Sequence, residues 1–163
     1  MIINALKIIK AWILTEMFNQ EEQVQQNGID LTAKTIKRVI SHWTMTTKDR
    51  DIAIRAKDSL ILDEKDVLLP AWVYEVEFNE QIKIPNGMCA QIIQRSSVNR
   101  NGVIIQAGLY DAWFSNYVWA MIYVLNPLWF RVWMNARLAQ IIFYEAEEWK
   151  LYDGIYNKEK TNV

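Results

Sequence analysis

The stretch Trp72-Val73-Tyr74-Glu75-Val76-Glu77-Phe78 alternates apolar with polar side chains. Because successive side chains of a strand point to opposite faces, this pattern predicts a strand that is buried on one face. Turn signals such as Asn27-Gly28 and Pro85-Asn86-Gly87 divide the rest of the chain into further short segments. We expect these segments to form strands over residues 29–33, 35–40, 59–62, 89–93, 103–106, 118–125, 130–132 and 138–144. Many short strands separated by turns predict an all-β barrel or sandwich.

The two ends of the chain depart from this pattern. Near the N-terminus, apolar side chains recur at three- and four-residue spacing, at Ile2, Ile3, Leu6, Ile9 and Ile13. This spacing predicts one short amphipathic helix. Residues 157–163 are polar and are expected to form a mobile tail unless a ligand orders them. At 163 residues, the chain is expected to form a single domain, residues 1–163, with a substantial core.

Charge balance and rare residue types exclude several classes of function. Eighteen basic and 19 acidic side chains leave a net charge of −1, so neither nucleic acid nor an anionic membrane is an expected partner. The lone Cys89 cannot form an internal disulfide, which favours a reducing, cytoplasmic location. The lone His42 excludes His-rich zinc sites and most His-based catalytic triads. Polar breaks at Asn4, Lys7 and Lys10 argue against a signal peptide, and no apolar run reaches the roughly 18 residues of a membrane helix.

Acidic residues are almost absent from the second half of the chain. Between residues 81 and 144 there is a single one, Asp111, at the mouth of an expected hairpin. The same stretch holds four arginines, Arg95, Arg100, Arg131 and Arg137. Guanidinium groups match phosphate oxygens, and one carboxylate among them can act as a general base toward water. Spacing alone equally allows Asp111 to be a turn residue and the arginines to be solvated.

The segment Arg95-Ser96-Ser97-Val98-Asn99-Arg100 refines this picture. Consecutive serines after a strand can cap a short helix, whose free N–H groups bind anions. The hydroxyls and Arg95 would add donors to the same phosphate. An ordinary helix cap without a ligand is the alternative.

Four segments stand in one order along the chain: Gly28-Ile29-Asp30-Leu31-Thr32-Ala33, Arg95-Ser96-Ser97, Gly108-Leu109-Tyr110-Asp111 and Arg137-Leu138-Ala139-Gln140. Together they resemble four of the five motifs of the homotrimeric dUTPase and dCTP deaminase superfamily. Residues 95–102 and the tail Tyr152-Asp153-Gly154-Ile155-Tyr156 look most like archaeal and archaeal-virus members. The resemblance implies a distorted β-barrel of the dUTPase-like, β-clip type. It would carry an N-terminal helix and one short internal helix after Arg95.

The resemblance also implies a reaction, hydrolysis of dUTP to dUMP and pyrophosphate. Asp111 would activate the water that attacks the α-phosphate, and Phe114 would lie under the deoxyribose. Asp30 would hold Mg²⁺ indirectly, through water. The implied substrate-binding residues are Arg95, Ser96, Ser97, Arg100, Gly108, Leu109, Tyr110, Phe114, Arg137, Gln140 and Tyr156. The implied assembly is a homotrimer with its sites at the subunit interfaces.

Two other functions remain open on the same scaffold. The deaminase branch has a glutamate ten positions after its motif-three aspartate, where this chain has Met121. Because deamination needs a carboxylate beside the base, hydrolysis is favoured over dCTP deamination. A catalytically inactive nucleotide-binding homologue is the third possibility. It is suggested by Trp113 and Asn116, which stand where the family prefers glycine.

Tryptophan outnumbers glycine, with eight residues against five. By the resemblance, Trp72, Trp113 and Trp129 fall on turn positions where glycine is expected. A left-handed backbone costs a non-glycine residue about 1–2 kcal/mol. Three readings are open: the local backbone differs from the family, the tryptophans are not the true residues, or they are surface indoles in ordinary conformations. If the turns are kept, these three residues should have positive φ angles.

Overall fold

The computed structural model describes residues 1–40, 57–60, 66–147, 152–154 and 157. The helices in these ranges are α1 (Ala5–Lys10), α2 (Gln20–Gln23) and α3 (Ser96–Arg100). The strands are β1 (Leu14–Thr15), β2 (Ile29–Val39), β3 (Lys57–Leu60), β4 (Asp66–Leu69), β5 (Val73–Lys83), β6 (Met88–Gln94), β7 (Val103–Gln106), β8 (Leu109–Tyr110), β9 (Ser115–Val124), β10 (Phe130–Trp133) and β11 (Arg137–Glu145).

Antiparallel pairing joins nine of these strands into one sheet, in the order β7-β9-β5-β2-β11-β6-β8. Strand β1 adds to β5 and strand β3 adds to β2, while β4 and β10 pair separately. The predicted all-β fold with an N-terminal helix and a short helix after Arg95 is confirmed. Within the described ranges, no helix combines the length and the apolarity that crossing a bilayer requires.

Strand β5 is the centre of the core, as its alternating sequence predicts. Tyr74, Val76 and Phe78 are fully buried on one face. Full burial of an aliphatic or aromatic side chain contributes about 1.5–3 kcal/mol to stability. On the neighbouring strand β9, Val118, Ala120, Ile122 and Val124 fill the alternate positions of the same core.

Some strands have different bounds in the structure from those that the sequence predicted. The predicted strands 29–33 and 35–40 form one continuous strand, β2, because no turn interrupts them. Strands β1, β4 and β8 were not predicted; β1 and β8 have two residues each, which are too few to show a period.

The predicted N-terminal helix is confirmed as α1. Its buried face is not the one that the apolar spacing predicted. Ala5 and Ile8 are buried, whereas Leu6 is 54% exposed and Ile13 lies beyond the helix end. The Asn4 side chain caps the helix by accepting a hydrogen bond from the Leu6 N–H at 2.9 Å. The cap fixes where the helix begins, and the packing of Ala5 and Ile8 into the core decides which face points inward.

The C-terminal segment is anchored to the body where it is described. Asn157 was expected to begin a mobile tail, but its side chain is buried and donates to the Trp113 carbonyl at 2.8 Å. Mobility of the tail therefore stays a prediction. Residues 158–163 lie outside the described residues.

Two of the three tryptophans expected at glycine positions have positive φ angles. Trp113 and Trp129 have φ angles of 71° and 72°, close to the 78° of Gly87 and the 70° of Gly102. Trp12, for which no expectation was made, has a φ of 54°. The turns of the fold are thus kept although the residues within them are tryptophans.

For Trp72 the expectation of a positive φ is wrong. Its indole N–H donates to the Val39 carbonyl at 2.7 Å, and the Arg38 guanidinium lies 4.7 Å from the ring centroid. These contacts hold the indole in place, and the Trp72 backbone does not need a positive φ.

We predict that Trp113→Gly raises the melting temperature by a few degrees. The relieved left-handed strain of about 1–2 kcal/mol exceeds the entropic cost of a glycine, about 0.5–1 kcal/mol. Trp72→Gly is the matched control. It should lower the melting temperature, because the indole that it removes makes a hydrogen bond and a cation–π contact. Calorimetry of both variants checks this, and a less stable Trp113→Gly chain would contradict it.

Candidate active site

Three adjacent strands bring distant parts of the sequence together. Strand β11 lies between β2 and β6, and Gln140 is paired with Asp30 on one side and with Ile93 on the other. Arg95 follows directly after β6, at the N-cap of α3. Side chains from residues 30, 95 and 140 therefore share one end of the sheet.

The Asp30 carboxylate is the centre of this group. It is 2% exposed, and its Oδ2 lies 3.4 Å from Arg95 Nε and 3.6 Å from Arg137 Nη1. Gln140 Nε2 donates to Oδ1 at 3.3 Å. Burial raises the pKa of Asp30 above its usual range, and the charges of Arg95 and Arg137 oppose this rise. Asp30 thus holds two guanidinium groups in fixed positions.

A polar cavity of about 410 Å³ opens beside this carboxylate. Its lining residues are Gln25, Asp30, Ile93, Gln94, Arg95, Ser96, Ser97 and Gln140. The structure thus brings together Arg95, both serines and Gln140, as the sequence predicted. Gln25 and Gln94 were not predicted, since a lone glutamine carries no recognisable signal.

Local contacts explain how the cavity is built. Arg95 Nη1 donates to the Arg137 carbonyl at 2.9 Å, which ties α3 to β11. The expectation that a serine caps α3 is wrong, because Arg95 occupies the N-cap position and no side chain makes a capping bond. Ser96 and Ser97 instead form the first turn, where both are exposed to the cavity.

Two of the predicted arginines stand apart from the polar cavity. Arg131 pairs with Asp66 at 2.6 Å across the separate two-stranded sheet of β4 and β10, so its place in the arginine cluster is wrong. Arg100 lies exposed in the last turn of α3 and does not line the cavity. Arg137 does not line the cavity either, but it pairs with the Asp30 carboxylate that does. The predicted guanidinium cluster is therefore reduced to Arg95 in the lining and Arg137 behind Asp30.

Gly28 permits the close approach of β2 to β11. A Cβ atom at this position would lie 2.7 Å from Gln140 Cγ and 2.9 Å from the Ile141 carbonyl oxygen. Because a backbone oxygen cannot move aside as a side chain can, only glycine fits here. Gly28 thereby sets the position of Gln140 at the wall of the polar cavity.

An aromatic cavity of about 130 Å³ lies at the loop between β8 and β9. Its lining residues are Gly108, Leu109, Tyr110, Asp111, Phe114, Trp119 and Tyr152. The expected hairpin at Asp111 is wrong, because β8 pairs with β6 whereas β9 pairs with β5 and β7. Asp111 is exposed in this loop and is the one carboxylate in the lining. Five of the seven residues were predicted to bind substrate or act on it. Trp119 was not predicted. Tyr152 belongs to the tail segment 152–156, in which Tyr156 was predicted to bind the substrate.

Ring contacts shape the aromatic cavity. Phe114 packs edge-on against Tyr110 at 4.9 Å and against Tyr152 at 5.6 Å between centroids. The Tyr110 hydroxyl donates to the Trp119 carbonyl at 2.7 Å, and burial raises the pKa of this phenol. Tyr110 therefore presents its ring to the cavity, with its hydroxyl committed to β9. Tyr156 lies outside the described residues.

The polar and aromatic cavities share no lining residue. Leu109 is paired with Gln91 on β6, and Arg95 lies four residues further, about 13 Å along the strand. One chain thus presents Asp111 and Arg95 at two separate places on the same sheet.

A family model described as dCTP deaminase-like matches residues 5–146. The chain belongs to the dCTP deaminase-like family. This family member is 32% identical to a probable deoxyuridine 5′-triphosphate nucleotidohydrolase of Methanosarcina mazei, over 96% of this chain and 94% of that protein. It is 30% identical to the deoxyuridine 5′-triphosphate nucleotidohydrolase of Methanocaldococcus jannaschii, over 84% and 88% of the two chains.

Solved structures show the same fold for this dCTP deaminase-like chain. The 2′-deoxycytidine 5′-triphosphate deaminase of Agrobacterium tumefaciens matches with a TM-score of 0.68 and 20% identity. The match covers 89% of this chain but 48% of the deaminase chain, so this chain spans about half of that length. The dUTPase of Streptococcus mutans matches with a TM-score of 0.52 and 13% identity, over 86% of this chain and 98% of that one.

We predict that Gly28→Ala lowers both the melting temperature and the affinity for inorganic tripolyphosphate. The added methyl group overlaps Gln140 and the Ile141 carbonyl, and such overpacking costs about 1–3 kcal/mol. Gly108→Ala is the control for stability, because no atom lies within 4 Å of its added Cβ. Calorimetry measures both quantities, and equal melting temperatures for the two variants would contradict the prediction.

Proposed function

We propose that this chain hydrolyses dUTP to dUMP and pyrophosphate. The observation that carries the proposal is the position of Asp111, the one carboxylate on the lining of an aromatic cavity and exposed at its rim. Such a group can take a proton from water beside a bound nucleotide. The relatives named as deoxyuridine triphosphate nucleotidohydrolases match over most of this chain and support the same reaction.

In the proposed reaction, the Asp111 carboxylate orients a water molecule toward the α-phosphorus and accepts its proton. The water oxygen forms a bond to the α-phosphorus, and the bond from this phosphorus to the α–β bridging oxygen breaks. The bridging oxygen leaves with pyrophosphate, and dUMP retains the new oxygen. The chain itself forms no covalent bond to the substrate.

The polar cavity is the proposed triphosphate site. Guanidinium groups of Arg95 and Arg137 supply positive charge, and the hydroxyls of Ser96 and Ser97 and the amide of Gln140 supply further donors. Asp30 fixes the two guanidiniums before the substrate arrives, so less conformational freedom is lost on binding.

The aromatic cavity is the proposed deoxyuridine site. Leu109 and Tyr110 form a short strand whose backbone can read the edge of the base. Phe114 lines this cavity, where the rings of Tyr110 and Tyr152 hold it in place, and it is the aromatic ring proposed to contact the sugar. A 2′-hydroxyl against this ring would lose its water without gaining a partner, which favours deoxyribose over ribose.

Magnesium is the proposed cofactor, and the residues fit an ion held through water. Asp30 lines the polar cavity, where its carboxylate is already paired with Arg95 and Arg137 and can also accept a hydrogen bond from a metal-bound water. Within the described ranges, no three Asp, Glu, His or Cys side chains cluster closely enough to hold a metal directly. Bound with the substrate, Mg²⁺ supplies positive charge to the phosphate oxygens.

A homotrimer is the proposed assembly. The separation of the two cavities on one chain is explained if the polar cavity of one subunit faces the aromatic cavity of its neighbour. A cyclic assembly repeats this contact at each interface. Each subunit then contributes to two sites.

We predict that Asp111→Asn abolishes hydrolysis but leaves dUTP binding largely intact. The amide keeps the shape of the carboxylate and cannot take the proton. Pyrophosphate release and calorimetry measure the two effects. A variant with more than about a tenth of the parent kcat, a loss below roughly 1.4 kcal/mol, would exclude Asp111 as the base.

If each active site is shared between two subunits, chains that carry different inactivating substitutions should restore activity to each other. Asp111→Asn and Arg95→Ala chains should each be inactive alone. Co-expressed, they should regain about a quarter of the parent activity, since half of the subunits supply each intact cavity. Pyrophosphate release from the purified mixture is the measurement. Absence of any recovery would place both halves of the site on one subunit.

The same chain incubated with dCTP and with dUTP distinguishes the other candidate functions. Chromatography should show dUMP from dUTP and unchanged dCTP. Formation of a uracil nucleotide from dCTP would assign deamination instead. Binding of dUTP without turnover would assign a nucleotide-binding protein.

A further inference from the structure

Glu80 is a fully buried carboxylate that lines neither cavity. Its Oε1 accepts hydrogen bonds from Gln23 Nε2 and Thr32 Oγ1, both at 2.6 Å, and its Oε2 accepts one from the Thr32 N–H at 3.0 Å. Burial raises the pKa of Glu80, and these donors oppose the rise. Burying an ionisable side chain costs desolvation free energy, which an apolar residue at the same position would not lose. The three donors offset part of this cost.

An irregularity of strand β5 brings Glu80 to this position. The register between β5 and β9 shifts between Glu77 and Gln81. The pairing of β5 with β2 ends at Phe78, opposite Ala33. Beyond that point the Glu80 side chain accepts from the Thr32 N–H, so it continues the connection between the two strands.

Gln23 links the Glu80 carboxylate to Asp30. The same Gln23 amide that donates to Glu80 also donates to the Asp30 backbone carbonyl at 2.8 Å. Gln23 is 1% exposed, so water does not compete for these bonds. The backbone that carries the central carboxylate of the polar cavity is thus fixed by a second, deeper carboxylate.

Helix α2 provides a second link, to Arg137. Gln23 is the last residue of α2, and its neighbour Glu22 accepts a hydrogen bond from Arg137 Nη1 at its backbone carbonyl, at 2.6 Å. Glu22 Oε2 also lies 3.8 Å from Arg137 Nη2. Anchoring Gln23 therefore anchors the helix end against which this guanidinium rests.

We propose that Glu80 is a positioning residue for the triphosphate site, acting through Gln23 on Asp30 and on Arg137. The proposal rests on the proposed function of the polar cavity. Glu80 does not touch the substrate. It determines how well the two guanidiniums are oriented before the phosphates bind.

The test substitutes Glu80→Gln and compares it with Glu77→Gln. The amide at position 80 has one acceptor oxygen, so either the Thr32 N–H or the Gln23 amide loses its partner. Glu77 lies on the same strand but pairs with Lys34 at 3.0 Å, with no connection to Asp30, so it is the matched control. Calorimetry measures affinity for inorganic tripolyphosphate and for deoxyuridine separately, and kinetics measure KM and kcat.

We expect Glu80→Gln to weaken tripolyphosphate binding and raise the KM for dUTP by about tenfold or more. Deoxyuridine affinity should stay within about twofold of the parent, because the aromatic cavity is not connected to Glu80. Unchanged tripolyphosphate affinity, or equal losses for both ligands, would overturn the proposal. A parent chain that binds neither ligand would instead overturn the proposed function, and the positioning role with it.

Gln23→Met keeps the test decisive if Glu80→Gln fails to fold. Methionine has a similar shape and removes both amide donors, together with the oxygen that accepts from the Asn19 N–H, while Thr32 continues to satisfy Glu80. The same selective loss of tripolyphosphate affinity is expected. Parent-like affinity in a folded Gln23→Met chain would overturn the proposal.

A separate observation concerns the three tryptophans with positive φ. Trp12, Trp113 and Trp129 are 79%, 52% and 48% exposed, so about half or more of each side chain lies outside the packed core. The Trp113 indole N–H donates to Asn86 Oδ1. Glu16 and Asn135 are the other described non-glycine residues with positive φ. The chain has five glycines where average usage gives about 11, and eight tryptophans.

We infer that the polypeptide made in the source organism carries glycine at positions 12, 113 and 129. The organism would decode as glycine a codon that is read elsewhere as tryptophan. Glycine at these three positions would bring the glycine count from five to eight, nearer the average of about 11, and would remove three exposed indoles from left-handed backbone. No separate compensation is then needed at each turn.

Mass spectrometry of peptides from the protein purified from its own organism tests this inference. Peptides spanning residues 12, 113 and 129 should have the masses of the glycine forms. Tryptophan at all three positions would overturn the inference. The same measurement identifies the residues at the other five tryptophan positions.

Discussion

The buried carboxylate of Asp30, between the guanidiniums of Arg95 and Arg137, is the interaction on which the polar cavity depends. Three chain segments that are far apart in the sequence meet at this one group. A buried ion pair contributes little net stability, because desolvation offsets the attraction between the charges. Its effect here is geometric, since it fixes the directions in which two cations can receive an anion. Gln140 completes the arrangement from the same strand as Arg137.

Much of the fold could be predicted because its long strands carry a clear period. The alternation around Tyr74 and Phe78 corresponds to a buried face, and the segment Val103–Gln106 has the predicted bounds. The face of α1 was predicted incorrectly because Ala5 and Ile8, rather than Leu6, pack into the core. Apolar residues lie on more than one face of this short helix, so hydrophobic spacing alone does not select the buried one.

The candidate site was predicted in its components but not in its arrangement. Motif residues such as Ser96 and Asp111 do line cavities, yet these are two separate cavities on one chain. Arg131 has the right charge and pairs elsewhere, because its partner Asp66 comes from a strand that the sequence did not reveal. Nothing in the sequence pattern indicated a role for Glu80 or Gln23. Their importance comes from contacts across 57 positions of sequence, which only the folded chain displays.

The left-handed turn at residue 113 also determines the orientation of a peptide plane. Ala112 accepts the Tyr152 N–H at its carbonyl at 3.2 Å, and the next carbonyl, that of Trp113, accepts the Asn157 side chain at 2.8 Å. Both acceptors belong to the backbone, so they are independent of the side chain at position 113. A residue that returned to negative φ would rotate these carbonyls away from Tyr152 and Asn157. The position of these two residues beside Asp111 thus depends on one backbone torsion, together with the ring contact between Tyr152 and Phe114.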